Sequence, residues 1–180
     1  MVHDEINQYE IDKDAINKEI LLDIFYKSKG NIDAINDEIN RKLYGNQIKS
    51  LSLFAKFVKA RLELNPKVLN LADKEITHIE ATFLSTYEGL ELVEKLDLRK
   101  NFLGDKGLEI LLSSNKLNNI RELDLRNNQI SRIGIILLSK SKDLLNLESL
   151  DLRVNKLGKR WEHKLKEQGN FPKLTRLRIA

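Results

Sequence analysis

Cysteine is absent from the 180 residues. No disulfide framework therefore holds this chain, and nothing in it depends on an oxidising compartment. Histidine is almost as scarce: His3, His78 and His163 are too scattered for ligand pairs at helical spacing. Without cysteine a metal site would need them clustered with carboxylates, so neither a metal nor another cofactor is expected. The chain also lacks a Gly-x-Ser-x-Gly elbow and a Walker loop, so no residue is assigned a catalytic role and the protein reads as non-enzymatic. No apolar stretch approaches the roughly 20 residues a membrane helix needs. The first 20 residues carry Asp4, Glu5, Asp12 and Asp14 in place of a basic segment followed by an apolar one, which argues against a Sec signal peptide. These absences point to a soluble cytoplasmic protein that acts by contact.

What the chain does have is a period. Leu96-Asp97-Leu98-Arg99, Leu123-Asp124-Leu125-Arg126 and Leu150-Asp151-Leu152-Arg153 are one tetrapeptide repeated every 27 residues, with weaker copies at Leu69-Asn70-Leu71-Ala72 and Leu177-Arg178-Ile179-Ala180. Other columns keep the same register. Val93, Ile120, Leu147 and Leu174 align, as do Ile76, Leu103, Ile130 and Leu157, then Leu84, Leu111, Leu138 and Leu165. Apolar residues at every second position around Leu96 predict a strand with one buried face, and the spacing from Leu108 to Leu111 and Leu112 predicts a helix. Strand, turn, helix and return in each period predict stacked coils with a parallel sheet on one side and helices on the other.

The run Val93-x-x-Leu96-x-Leu98-x-x-Asn101-x-Leu103, with its copies from Ile120 and Leu147, resembles the leucine-rich repeat. The continuation from Gly104 to Leu111 resembles the ribonuclease-inhibitor subtype. This resemblance covers roughly residues 66 to 180. It implies an α/β fold: a short right-handed solenoid with about five parallel strands on the concave side and helices on the convex side. Lys74 departs from the pattern where Asn101, Asn128 and Asn155 stand later, as does Trp161 where Gly107 and Gly134 stand. The three asparagines suit buried turns, because one amide both donates and accepts. The glycines of the Gly104-Asp105-Lys106-Gly107 turn are expected to supply dihedral freedom.

Residues 1 to 65 form a separate unit, expected to be an all-helical cap on the open end of the solenoid. Ala15, Ile16, Ile20, Leu21, Ile24 and Phe25 suit one helix; Ile32, Ile35, Ile39 and Leu43 a second; Leu51, Val58 and Leu62 a third, ended by Asn65-Pro66. Residues 16 to 44 are also similar to an F-box, which implies Ile20, Leu21 and Phe25 as contacts to a Skp1-type subunit and a role as substrate adaptor of a cullin ubiquitin ligase. Both readings of this segment stay open.

The net charge of +4 hides a split: −6 over residues 1–40, +5 over 41–65 and +5 over 66–180. A nucleic-acid surface is not expected, since the repeats are poor in aromatics and each strand arginine from Arg99 to Arg153 follows an aspartate. Function is assigned to the outward strand positions: Lys95, Asp97 and Arg99; Glu122, Asp124 and Arg126; Ser149, Asp151 and Arg153; and Arg176 and Arg178. The face is either a self-neutralising solvated surface or a docking site for another protein. Its roughly 15 positions fall short of the 20 to 30 residues per side of a standard interface, so a partner would also hold the adjoining loops. Trp161 lies near that edge as core filler or exposed anchor. The richness in Lys, Asn and Ile and the small size resemble leucine-rich-repeat effectors of intracellular bacteria such as Legionella. That likeness implies delivery into a host cytoplasm, where the protein either masks or inhibits another protein or recruits ubiquitin ligase; the chain itself is expected to be a monomer or a heterodimer with its partner.

Overall fold

The computed structural model describes residues 31, 50–155, 157–158 and 160–179. The chain divides into two compact units, Met1–Ser50 and Leu51–Ala180, and the repeats lie in the second. The two helices expected between Ala15 and Leu43, and with them the F-box-like segment, fall outside the described residues.

Helix α1 runs through residues 50–64. Val58 and Leu62, four residues apart and so on one face, are buried in the same cluster as Leu69, Leu71 and Ile76. Phe54 of α1 meets Phe83 edge to face at 5.8 Å. Lys74 belongs here too: its ammonium lies 5.6 Å from the centre of the Phe57 ring. The departure from asparagine at this position thus coincides with the coil that faces α1 in place of another repeat.

After α1, each repeat contributes one short strand and one helix. The order is β1 (Val68–Asn70), α2 (His78–Thr86), a 3₁₀ turn (Glu88–Leu92), β2 (Lys95–Asp97), α3 (Gly104–Leu112), β3 (Glu122–Asp124), α4 (Arg132–Ser139), β4 (Ser149–Asp151), α5 (Arg160–Gln168) and β5 (Arg176–Arg178). The strands form one parallel sheet in sequence order, β1-β2-β3-β4-β5. Leu69, Leu96, Leu123, Leu150 and Leu177 stand side by side across it, so the register equals the 27-residue period. Regular strands sit one residue earlier than the Leu-x-Leu centres suggest. The inter-strand ladder still continues past them, as Leu98 N–H donates to Asp124 O and Leu125 N–H to Asp151 O. It reaches the residues that turn into the left-handed region, Lys100, Asn127 and Val154 at φ 57°, 51° and 58°, with Lys100 N–H donating to Arg126 O and Asn127 N–H to Arg153 O.

The core lies between sheet and helices, with Leu84, Leu111, Leu138 and Leu165 facing the strand leucines. Inside the turns the asparagines form a ladder. Asn101 Oδ1 accepts Lys74 and Ile76 N–H at 2.9 and 3.0 Å, while its Nδ2 donates to Leu71 and Leu98 O at 2.9 and 2.7 Å. Asn155 repeats the pattern two steps on, accepting Asn128 and Ile130 N–H and donating to Leu125 and Leu152 O.

The glycines divide in their reasons. Gly104 sits at φ +61° with open space around it, so there the dihedral is the requirement. Gly107 is a different case and corrects the sequence expectation: it is helical, and an added Cβ would come within 2.7 Å of Leu103 Cδ1 and 3.4 Å of the His78 backbone. The space a side chain would need is taken by Leu103, the buried residue just before α3.

Candidate functional site

The face of the sheet turned away from the helices is built by the residues that alternate with the buried leucines. The side chains of Lys95, Asp97, Glu122, Asp124, Arg126, Ser149, Asp151, Arg153, Arg176 and Arg178 line one depression of about 360 Å³, together with Val68 and Asn70 of β1. Arg99 is not among them. It lines a second hollow at the C-terminal edge of the strands with Lys100, Arg126 and Val154. Trp161 lies apart from both, half-buried against the core on α5, with the Arg160 guanidinium 5.5 Å and the Lys164 ammonium 5.0 Å from its ring. Ile20, Leu21 and Phe25 lie outside the described residues.

The aspartates hold backbone as well as charge. Asp97, Asp124 and Asp151 each accept the N–H of the arginine two residues on, at 3.1, 3.1 and 3.2 Å. Asn70 does the same for Ala72 at 3.0 Å. A short side-chain acceptor two residues before the turn satisfies a donor that the strand leaves free. This duty was missed in the sequence, although the Asn70 exchange signals it: Asn and Asp replace each other where an acceptor matters more than a charge.

The arginines then return over the same carboxylates. Arg126 bonds Asp124 through Nε at 3.0 Å and Nη2 at 2.6 Å, and Arg153 bonds Asp151 through Nε at 3.0 Å and Nη2 at 2.8 Å. Such forked pairs fix both side chains in one geometry. Arg99 is looser, 3.4 Å from Asp97. Asp151 gathers most of the positive charge, with Arg126 also at 3.6 Å and Arg178 at 3.8 Å. Burial alone would raise the pKa of this carboxyl, but the hydrogen bonds from Arg153 and the charges of Arg153 and Arg126 outweigh it and hold the pKa below the ordinary value. Toward the other end of the strands, Lys95 pairs with Glu122 at 2.9 Å.

The edge hollow contains a strained residue. Val154 is 74% exposed and left-handed, a conformation that a β-branched side chain rarely adopts. Its column companions Asp73, Lys100 and Asn127 share the conformation. Among the described residues no group of three or more His, Asp or Glu side chains could hold a metal ion, and no helix is long and apolar enough to cross a membrane.

Residues 89–112 and 116–139 match the family model described as Leucine Rich repeat. Those spans contain β2 with α3 and β3 with α4, and over them the chain is similar to leucine-rich repeats. Such repeats generally serve as surfaces for binding other proteins. No curated protein matches the chain.

Proposed function

We propose that the outer sheet face is a docking surface for another protein, and that the protein acts without catalysis by covering part of that partner, in the manner of the ribonuclease-inhibitor subtype its turns resemble. The observation that supports this reading is preorganisation. Asp124, Arg126, Asp151 and Arg153 are locked in forked pairs on a backbone fixed by the ladder. Surface lysines and arginines ordinarily lose rotamer freedom on binding, and these arginines have already lost it, so docking on them costs less. In this reading α1 is the cap of the first coil, the Val154 edge supplies adjoining contacts, and the protein is a monomer until it meets its partner.

The test begins with affinity capture and moves to calorimetry with the recovered protein. Ser149 sits in the depression between Glu122 and Arg176 in register and is half-buried. Ser149→Tyr fills that space. Its expected effect is at least a tenfold loss of affinity, about 1.4 kcal/mol, with an unchanged unfolding midpoint. Equal affinity in a folded variant would remove the sheet face from the proposal.

A further inference from the structure

Among the described residues, Arg176 and Arg178 on the sheet face have only distant, shared carboxylates, Glu122 and Asp151. The register explains why. The aspartate column ends at Asp151, which lies opposite Arg178, and the column that begins with Lys95 and Glu122 passes through Ser149 to Arg176. Asp151 is already engaged by Arg153, which leaves the Arg178 Nη1 at 3.8 Å. Glu122 is engaged by Lys95, which leaves the Arg176 Nη2 at 4.0 Å. Neither distance is a hydrogen bond, and both side chains remain more than half exposed, at 59% and 57%. Each guanidinium carries five N–H donors in a planar fork.

At the opposite end of the same face the charges vanish: β1 presents Val68 and Asn70 to the depression. Between the two ends the charges of β2 to β4 largely offset one another, so the positive excess of the face is concentrated on β5. Two residues apart on one strand, the Arg176 and Arg178 side chains emerge about 7 Å from each other, the repeat of alternate side chains on any extended chain.

Resting on the docking surface proposed above, we infer that the β5 end binds an extended acidic segment of the partner protein, with carboxylates at alternate positions over Arg176 and Arg178. Phosphates of a nucleic acid fit less well, because among the described residues no aromatic ring lines the depression for a base to stack on. A further alternative is that the two arginines only blunt the open edge of the sheet.

The probe is a short synthetic peptide that alternates Glu with Ala, titrated into the full chain by calorimetry at low salt. Arg176→Gln with Arg178→Gln is expected to weaken it at least tenfold, since two charge-assisted contacts are lost. Arg160→Gln with Lys164→Gln, which removes the same charge from α5, is expected to change it less than twofold. Arginine Nε–H signals in the unmodified protein give a readout independent of any variant, and those of Arg176 and Arg178 should shift on titration. Equal loss in the α5 control, absence of the NMR shifts, or tighter and equally arginine-dependent binding of single-stranded oligonucleotide overturns the inference. So does a peptide that never binds while the double variant self-associates, which is the edge-blunting outcome. If Ser149→Tyr weakens the peptide and the double arginine variant does not, the sheet face still binds protein and only the acidic-segment assignment fails.

Discussion

Asn128 shows how much one side chain can carry in a repeat. It is fully buried, its Nδ2 donates to Leu98 O at 2.8 Å and Arg126 O at 3.1 Å, and its Oδ1 accepts Leu103 N–H at 3.4 Å. Asn128→Ala orphans the buried Leu103 N–H, at a cost of about 1–3 kcal/mol, while Leu98 O and Arg126 O each lose one bond and keep Asn101 Nδ2 and Lys100 N–H. Asn155 makes more bonds, accepting two N–H groups at 2.8 and 3.1 Å, but is only half-buried, so water can replace part of what Asn155→Ala removes. Urea unfolding of the two variants should rank Asn128→Ala as the more damaging; equal losses would show that burial does not set the cost. The strand aspartates carry a similar double load. Exchanging Asp124 with Arg126 conserves net charge, yet it removes the acceptor of the Arg126 N–H, so such a reversal perturbs the turn as well as the surface potential. Ser149→Tyr avoids that confusion.

At the scale of elements, one contact ties neighbouring repeats in a way no column shows. Asp105, in the first turn of α3, accepts Ser131 N–H at 2.9 Å, Ser131 Oγ–H at 2.6 Å and Gly134 N–H at 3.0 Å. It thereby caps the N-terminus of α4, whose own cap residue Ser131 accepts from Ile133 N–H. Gly134 is glycine because a Cβ there would lie 2.6 Å from Asp105 Oδ1 and 2.5 Å from Ile130 Cγ2. Asp105→Ala should therefore destabilise by about 1–2 kcal/mol, typical of a lost cap. The damage should appear in α4 rather than α3, as faster hydrogen exchange at Ser131 and Gly134. Protection unchanged at those two amides would refute the cap. The strands, the helix around Leu108 to Leu112 and the asparagine ladder were legible in the sequence because each recurs every 27 residues. Asp105 was not, since the same column holds His78 and Arg132 in the adjacent repeats and a contact made once leaves no period. Of the site, the sequence showed which residues alternate outward. It could not show that Arg99 departs to the edge hollow, because that depends on where the chain leaves the ladder.

For the whole molecule, stability should fall on the acid side. Glu80 closes a capping box on α2, accepting Thr77 N–H at 2.8 Å and Thr77 Oγ–H at 2.7 Å. Burial raises its pKa, and the Thr77 hydrogen bonds lower it by more. Asp151 is lowered on the same balance by its arginines. A carboxyl with a folded pKa below its unfolded value stabilises fully above the unfolded value, about 4, and loses that contribution as pH falls through the folded one. The thermal midpoint should hold steady from neutrality to about pH 5 and drop below about pH 4, and Asp151→Asn should make the acid limb shallower. An acid limb of the same slope in Asp151→Asn would show that Asp151 does not contribute to it. The sheet has a separate mechanical consequence. Its strands pair strictly in sequence order, so inter-strand hydrogen bonds point along the stack, and tension applied along it loads one rung at a time rather than all rungs in shear. Under a pulling force the repeats should peel away singly at low load, each lengthening the tether by roughly 90 Å, the extended span of one period. The protein is thus a soft, stepwise extensible element under stress.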